Sequence, residues 1–257
     1  MRPVRTRNPS QVLAAAVCVV LGLGLIGGAA TGSWLTGDSA ADATAPTGYA
    51  EARGSWHSVP VDTLFPRTVE GDGAGPGGAD RDWTRIAVAP DSGCAKAFDP
   101  LLLKTLAPVG CERLLRATYT DATTSSVITV GMLFTEAGAP AMKTLRTRFT
   151  GEGLAERADL MPRTYPVNGT AAAGFGDAQR ASWSVSVLTD APVVVYAVSG
   201  FADGRTVADP QPAEPAMVKG ATSAPAQAGL GHEAKGVADR IERGLRKTLA
   251  PATETPR

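Results

Sequence analysis

"ASWSVSVLTDAPVVVYAVSGF", residues 181–201, is the stretch on which a fold can be built outward. Ala181, Trp183, Val185 and Val187 alternate with Ser182, Ser184 and Ser186, the period of a strand with one apolar face. The expectation is that the tryptophan set faces the core and the serines face water. Residues 193–198 are almost continuously apolar, as a strand buried on both sides would be. Asp190 and Pro192 place a turn between the two, so the pair reads as a hairpin.

Upstream, "CERLLRATYT" and "SSVITVGMLFT" repeat the arrangement around "DATTS", with Ile128, Val130, Met132 and Phe134 on one face. "WTRIAVAP", from Trp83, is a further strand. "GAPAMKTLRTRF" has helical spacing, with Met142, Leu145 and Phe149 on one side. "HEAKGVADRIERGLRKTLA" is a second amphipathic helix with an apolar stripe of Ala234, Val237, Ala238, Ile241, Leu245 and Leu249. That stripe needs a cover, and the Trp183 face of the first hairpin is the expected one. Residues 203–231, rich in Pro and Ala, read as a loop without regular structure, as does the passage leading to Gln179. The order from Trp83 is β-α-β-β-α-β-β-α, which predicts an α+β fold, a mostly antiparallel sheet covered by helices and joined by long disordered linkers.

Three cysteines occur in 257 residues, and two of them bracket "CAKAFDPLLLKTLAPVGC". Asp99 has the place of an N-cap, with Pro100 at the first helical position. Phe98 and Leu103 are spaced as a hydrophobic staple. Pro108 and Gly110 stop the helix before Cys111. No histidine lies between the cysteines and the spacing is far from C-x-x-C, so a disulfide between Cys94 and Cys111 is preferred to a metal or redox site. Closing a loop of about 17 residues contributes on the order of 3 kcal/mol in the chain-entropy model.

The compartment follows from the N-terminus. Arg2, Arg5 and Arg7 precede an uncharged apolar run from Val12 to Ala30, and the first acid is Asp38. Roughly 19 residues at 1.5 Å each cover about 28 Å, close to the hydrocarbon thickness of a bilayer. The arginines place the N-terminus in the cytoplasm, and Trp34 falls where an interfacial anchor would sit. The organisation expected is a basic cytoplasmic tail (1–10), a transmembrane anchor (11–33) through which the lipid bilayer is contacted, a flexible tether with a short apolar arm (34–82), an extracytoplasmic α+β domain (83–250) and a disordered tail (251–257). Trp56, Val59, Leu64 and Phe65 form the arm. A cleaved signal peptide ending near Ala29, Ala30 and Gly32 is the alternative to the anchor. Lipidation at Cys18 is disfavoured, because Val17 stands where a small residue is needed. Anchor and signal peptide both export the chain to a compartment where thiols are commonly oxidised.

The 25 basic and 25 acidic residues balance, and the exported part is slightly acidic, so nucleic acid is not an expected partner. No G-x-S-x-G, S-x-x-K or H-E-x-x-H pattern occurs. His57 and His232 lack a ligand at i+4, so neither a metal nor a cofactor site is expected. "GFGDAQR" lacks the third glycine of a dinucleotide loop and reads as a turn. "YTDATTSS" reads as a hairpin turn in preference to an anion or sugar site. Asn168-Gly169-Thr170 is a glycosylation sequon or a turn.

The Ala/Gly/Arg-rich composition, together with "GCAKAFDPLLLKTLAPVGCERLLRATYTDATTSSVITVGMLF", resembles the uncharacterised single-pass, membrane-anchored extracytoplasmic proteins of actinobacteria, over Trp83 to Phe201 plus the anchor. The resemblance implies an envelope location and carries no catalytic residues. The stapled α+β pattern is also loosely similar to ectodomains of actinobacterial receptor kinases, although this chain has no kinase. The expected function is a non-enzymatic binding or structural module of the cell envelope whose partner is an envelope protein. The alternatives are an enzyme using Asp121, Asp177 or Arg180 in a cleft, and a sensor-type ligand-binding domain.

Overall fold

A computed structural model describes residues 47–90, 92–94 and 97–250. The expected basic tail and anchor, residues 34–46 of the tether and the C-terminal tail lie outside them. Among the described residues no helix is long and apolar enough to cross a membrane.

The centre is a seven-stranded sheet in the order β1-β2-β3-β4-β6-β5-β7, built from β1 (Thr68–Gly71), β2 (Arg81–Val88), β3 (Arg113–Asp121), β4 (Ser126–Phe134), β5 (Ser182–Val187), β6 (Val193–Phe201) and β7 (Gln211–Pro212). Every pairing is antiparallel except the two-residue contact of β5 with β7. The helices are α1 (Thr47–Arg53), α2 (Ser55–Ser58), α3 (Val61–Leu64), α4 (Pro100–Leu106), α5 (Ala139–Gly151), α6 (Ala213–Ala216), α7 (Ala224–Gln227) and α8 (Leu230–Leu249). The architecture is mixed α+β, and from β2 onward it contains the eight elements expected in the expected order.

Two tight turns fix the register. Between β3 and β4 the Asp121 carboxylate accepts hydrogen bonds from the backbone N–H groups of Ser125 and Ser126 at 2.8 and 2.7 Å, and from the hydroxyl of Thr123. Burial opposes ionisation of this carboxyl, but the hydrogen bonds from Thr123, Ser126 and Ser125 outweigh it and hold the pKa down at about 2. "YTDATTSS" is thus a turn whose hydroxyls serve its own aspartate. Between β5 and β6, Leu188 N–H donates to Val193 O at 3.0 Å.

Register sorts the side chains onto two faces. Tyr119 pairs with Ile128, Ala117 with Val130 and Leu115 with Met132, while Ala197 and Val195 lie opposite Val130 and Met132. This face packs against Ala234, Val237, Ala238, Ile241 and Leu245 of α8. The other face carries Val127, Val198 and Trp183, and is covered by Met161, Ala172 and Phe175. There Thr118 Oγ1 donates to Tyr165 O at 2.7 Å and Tyr165 N–H donates to Thr129 Oγ1 at 2.9 Å, fastening the covering segment to the strands. Helix α5 lies against β5 and beside the turn that ends α4.

Four expectations are corrected. Helix α8 does pack on the sheet, but on the serine face of β5. Ser182, Ser184 and Ser186 pair with Ser199, Ala197 and Val195, all on the α8 side, and Ser182 and Ser199 are fully buried. Ser199 satisfies its hydroxyl by donating to Leu230 O at 2.7 Å. Small side chains there let the helix approach closely, and the Trp183 face is covered by the 152–180 segment instead.

The tether does not extend to residue 82. Residues 47–82 form α1 to α3 and the edge strand β1, and Leu64 and Phe65 are buried in the α8-side core. The glycine-rich run is part of the β1–β2 connection, because β2 offers an edge to pair and Trp83 needs room. A Cβ on Gly71 would come within 2.5 Å of the Trp83 ring.

The segments read as disordered linkers are ordered. Leu154, Leu160, Met161 and Phe175 are buried in one of them, and the other carries β7, α6 and α7.

Asp99 has the extended backbone of an N-cap but makes no capping bond. Its carboxylate instead accepts from Arg163 Nε at 2.7 Å and Arg180 Nη1 at 2.9 Å.

Cys94 and Cys111 form a disulfide with Cα atoms 6.2 Å apart, tying the segment before α4 to the start of β3. Reduction is expected to cost about 3 kcal/mol and to lower the melting temperature by roughly 6–12 °C, with one cooperative transition retained. Calorimetry with and without reductant checks this. An unchanged melting temperature would show that the bridge adds nothing to stability.

Candidate functional site

The most deeply buried acid among the described residues is Glu233, in the α8-side core and 3% exposed. The Trp83 indole N–H donates to its Oε2, and Arg81 Nε lies 3.3 Å from its Oε1. Burial pushes the Glu233 carboxyl up, while the Trp83 hydrogen bond and the Arg81 charge oppose the shift. A Cβ on Gly236 would come within 2.7 Å of the Trp83 ring, so the indole lies flush against α8. The Arg240 guanidinium stands 5.7 Å from the same ring. Sequence reasoning missed this cluster, yet the signal was present: Glu233 is one helical step of four before Val237, Ile241 and Leu245. It therefore stands on the buried stripe.

The three residues named for a possible catalytic cleft fall into two networks that share no member. Asp121 serves the β3–β4 turn. Arg180 donates from Nη1 to Asp99 Oδ2 at 2.9 Å and to Met161 O at 3.0 Å, with Asp177 3.8 Å from its Nε. Burial opposes ionisation of Asp99, but hydrogen bonds from Arg163 and Arg180 hold its carboxyl below the usual range. These charges lock α4 to the segment that covers the Trp183 face. His57 lies in α2, edge-on to Trp56 with 4.8 Å between ring centroids. His232 lies in the first turn of α8 with its Nδ1 buried and without a hydrogen-bond partner. Gly174 and Gly176 occupy the turn before β5, and exposed Asn168 a turn with Gly169 at φ 75°. Among the described residues no cluster of three or more His, Cys, Asp or Glu is placed to hold a metal ion.

The arrangement with chemical capacity left over is the outer edge of β5. Since Leu188 N–H donates to Val193 O, alternation turns the backbone N–H and C=O groups of Val185 and Val187 away from β6. On that side β7 pairs only Ser182 and Trp183 before Pro212 ends it. Beyond that point lies a cavity of about 260 Å³ with Ser184 and Val185 as its floor. Ala155 and Glu156 wall it on one side, and Ala213 and Glu214 on the other. Trp183 fixes the first wall by donating its indole N–H to Ala155 O at 2.9 Å.

The Glu233 cluster has a testable pH signature. Its folded pKa is raised, so its contribution to stability is full below the unfolded value near 4.5 and falls away as pH rises through the folded value. Glu233→Gln keeps an acceptor for Trp83 and is expected to flatten stability against pH above about 4.5, whereas Glu233→Ala leaves the indole unpaired and costs about 1–3 kcal/mol. Urea unfolding from pH 4 to 8 checks both, and an unaltered profile in Glu233→Gln would show that the carboxyl titrates normally. No protein-family model, curated protein or solved structure matches the chain, so a functional reading rests on its own residues, with the β5 edge first among them.

Proposed function

We propose that the chain is a membrane-tethered, extracytoplasmic module that acts by binding, and that it takes an extended segment of a protein partner against the open edge of β5. The carrying observation is the outward backbone of Val185, which β7 does not reach, beside a cavity walled on both flanks. A sheet edge is a template for another strand. A long bare edge would invite indiscriminate pairing. Here the free run is short and lies between the 153–156 turn and α6, so the walls admit a single strand. Backbone hydrogen bonds would supply affinity, and contacts with the walls would supply selectivity. The tethering part of the reading is supported by the apolar run 12–30 behind three arginines. The extracytoplasmic part is supported by the Cys94–Cys111 disulfide, which suits an oxidising compartment. Asp121, Asp177 and Arg180, the residues of the enzymatic alternative, are each engaged in the ion-pair and turn networks described above.

A photo-crosslinking amino acid at Glu156 or Glu214 of the full chain, irradiated in native membranes, is expected to give a discrete protein adduct, and one at exposed Thr248 is expected to give none. Val185→Pro removes one outward N–H at an edge position that tolerates proline, and should weaken the adduct two- to tenfold, the equivalent of one hydrogen bond of about 0.5–1.5 kcal/mol. Ala155→Trp, which fills the cavity, should abolish it. Equal adducts from all three positions, or adducts indifferent to both folded variants, would remove the β5 edge from the account.

A further inference from the structure

On the opposite side of the sheet from Trp183, the β1–β2 loop and α8 enclose a second cavity, of about 530 Å³. We propose that this cleft binds an oxyanion of the phosphate class. Its wall on α8 presents His232, Lys235, Arg240 and Arg243, and its other wall is the glycine-rich loop 72–78.

The two guanidiniums are three residues apart and so share one flank of the helix. Arg240 donates to the backbone carbonyls of Glu70 at 2.8 Å, Asp72 at 2.7 Å and Gly236 at 3.4 Å, and among the described residues no carboxylate is hydrogen-bonded to it. Burial and the neighbouring Arg243 charge disfavour its protonated form, while Asp239 and Asp72 favour it. Arg243 is exposed, and no acid is paired with it among the described residues. The adjacent arginines repel each other, Asp72 and Asp239 offset only part of that, and an anion seated there would turn the remainder into a chelating pair. His232 adds a buried Nδ1 with no hydrogen-bond partner among the described residues.

Two aspartates also line the cleft. Asp239 is engaged by Lys235 at 3.2 Å. Asp72 lies on the loop side, where its backbone carbonyl takes Arg240. Counting side chains, three cations face two acids, so the lining is net positive with His232 neutral.

The loop contributes shape more than donors. The N–H groups of Gly73, Ala74, Gly75 and Gly78 are spent on Asp80, Gly71, Ala79 and Gly75. Gly73, Gly77 and Gly78 adopt φ of 64°, 67° and 82°, and a Cβ on any of them would meet nothing within 4 Å. The loop is therefore a thin wall that leaves the cavity open to a group the size of a phosphate. Phosphate chemistry is available as a free anion or as a lipid headgroup, and both have the charge and the acceptor oxygens the cleft calls for.

Isothermal titration of the full chain in non-ionic detergent, with inorganic phosphate, short-chain phosphatidylglycerol and short-chain phosphatidylcholine, tests the site. Saturable binding of phosphate identifies a free-anion site, and saturation by phosphatidylglycerol alone identifies a headgroup site. In either case Arg243→Gln should weaken binding at least fivefold and the Lys235→Gln/Arg243→Gln pair should abolish it. Lys104→Gln, on α4, should leave it unchanged. Arg243 is exposed, so Arg243→Gln should melt like the parent and isolates the effect of charge. Failure of both phosphate and phosphatidylglycerol to saturate, saturation by phosphatidylcholine equal to that by phosphatidylglycerol, or equal weakening by Lys104→Gln would overturn the proposal.

Discussion

Helix α8 is held on the sheet at three points, and the rest of the structure is arranged around that contact. Near its start Leu230 O accepts from Ser199, one turn later Glu233 takes the Trp83 indole, and near its end Arg246 donates to Asp190 in the β5–β6 turn at 2.8 Å. Between these points Val237, Ile241 and Leu245 fill the face made by β3, β4 and β6. Fully burying such side chains contributes about 1.5–3 kcal/mol each before entropy is counted. The polar contacts add less energy but select one position along the sheet. The glycine-rich loop, the N-terminal helices and the cleft between loop and helix all take their places from where α8 lies.

The two hairpins were legible because their turns and their period-two patterns agree, and α8 because its stripe is long. What could not be read was which side of β5 the helix takes. Alternation reports that two faces differ, and it assigns the serines to water only if one face is wet. Both faces are covered here, so Ser182 and Ser184 lie under α8 while Trp183 packs below the 152–180 segment. Similarly, Gly71 to Gly78 have the composition of a linker, and their ordered role depends on the Trp83 ring that Gly71 meets across the β1–β2 hairpin, a contact composition does not announce. Asp99 had the sequence position of a cap and was claimed instead by two arginines more than 60 residues away. The disulfide was readable because cysteine number and spacing left few alternatives.

The two proposed sites differ in what the fold leaves unsatisfied. At β5 it is backbone, the outward N–H and C=O groups of Val185 beside the cavity, which an extended chain can pair. At the α8 cleft it is charge that an anion would relieve, Arg240 beside Arg243 on a wall that also carries His232. Neither depends on the buried carboxyls of Glu233 or Asp121, which hold the scaffold on which both sites sit. A tethered domain with one peptide edge and one anion cleft would engage a protein partner and an anionic group separately.

The central claim, that α8 and the sheet form one cooperative unit fastened through Glu233 and Trp83, is tested most directly by native-state hydrogen exchange. Backbone amides of α8 from Ala234 to Leu245 should exchange with the same opening free energy and denaturant dependence as those of β4 and β6. If α8 instead exchanges through a small local opening while β4 and β6 stay protected, the helix is a detachable cover and the account fails.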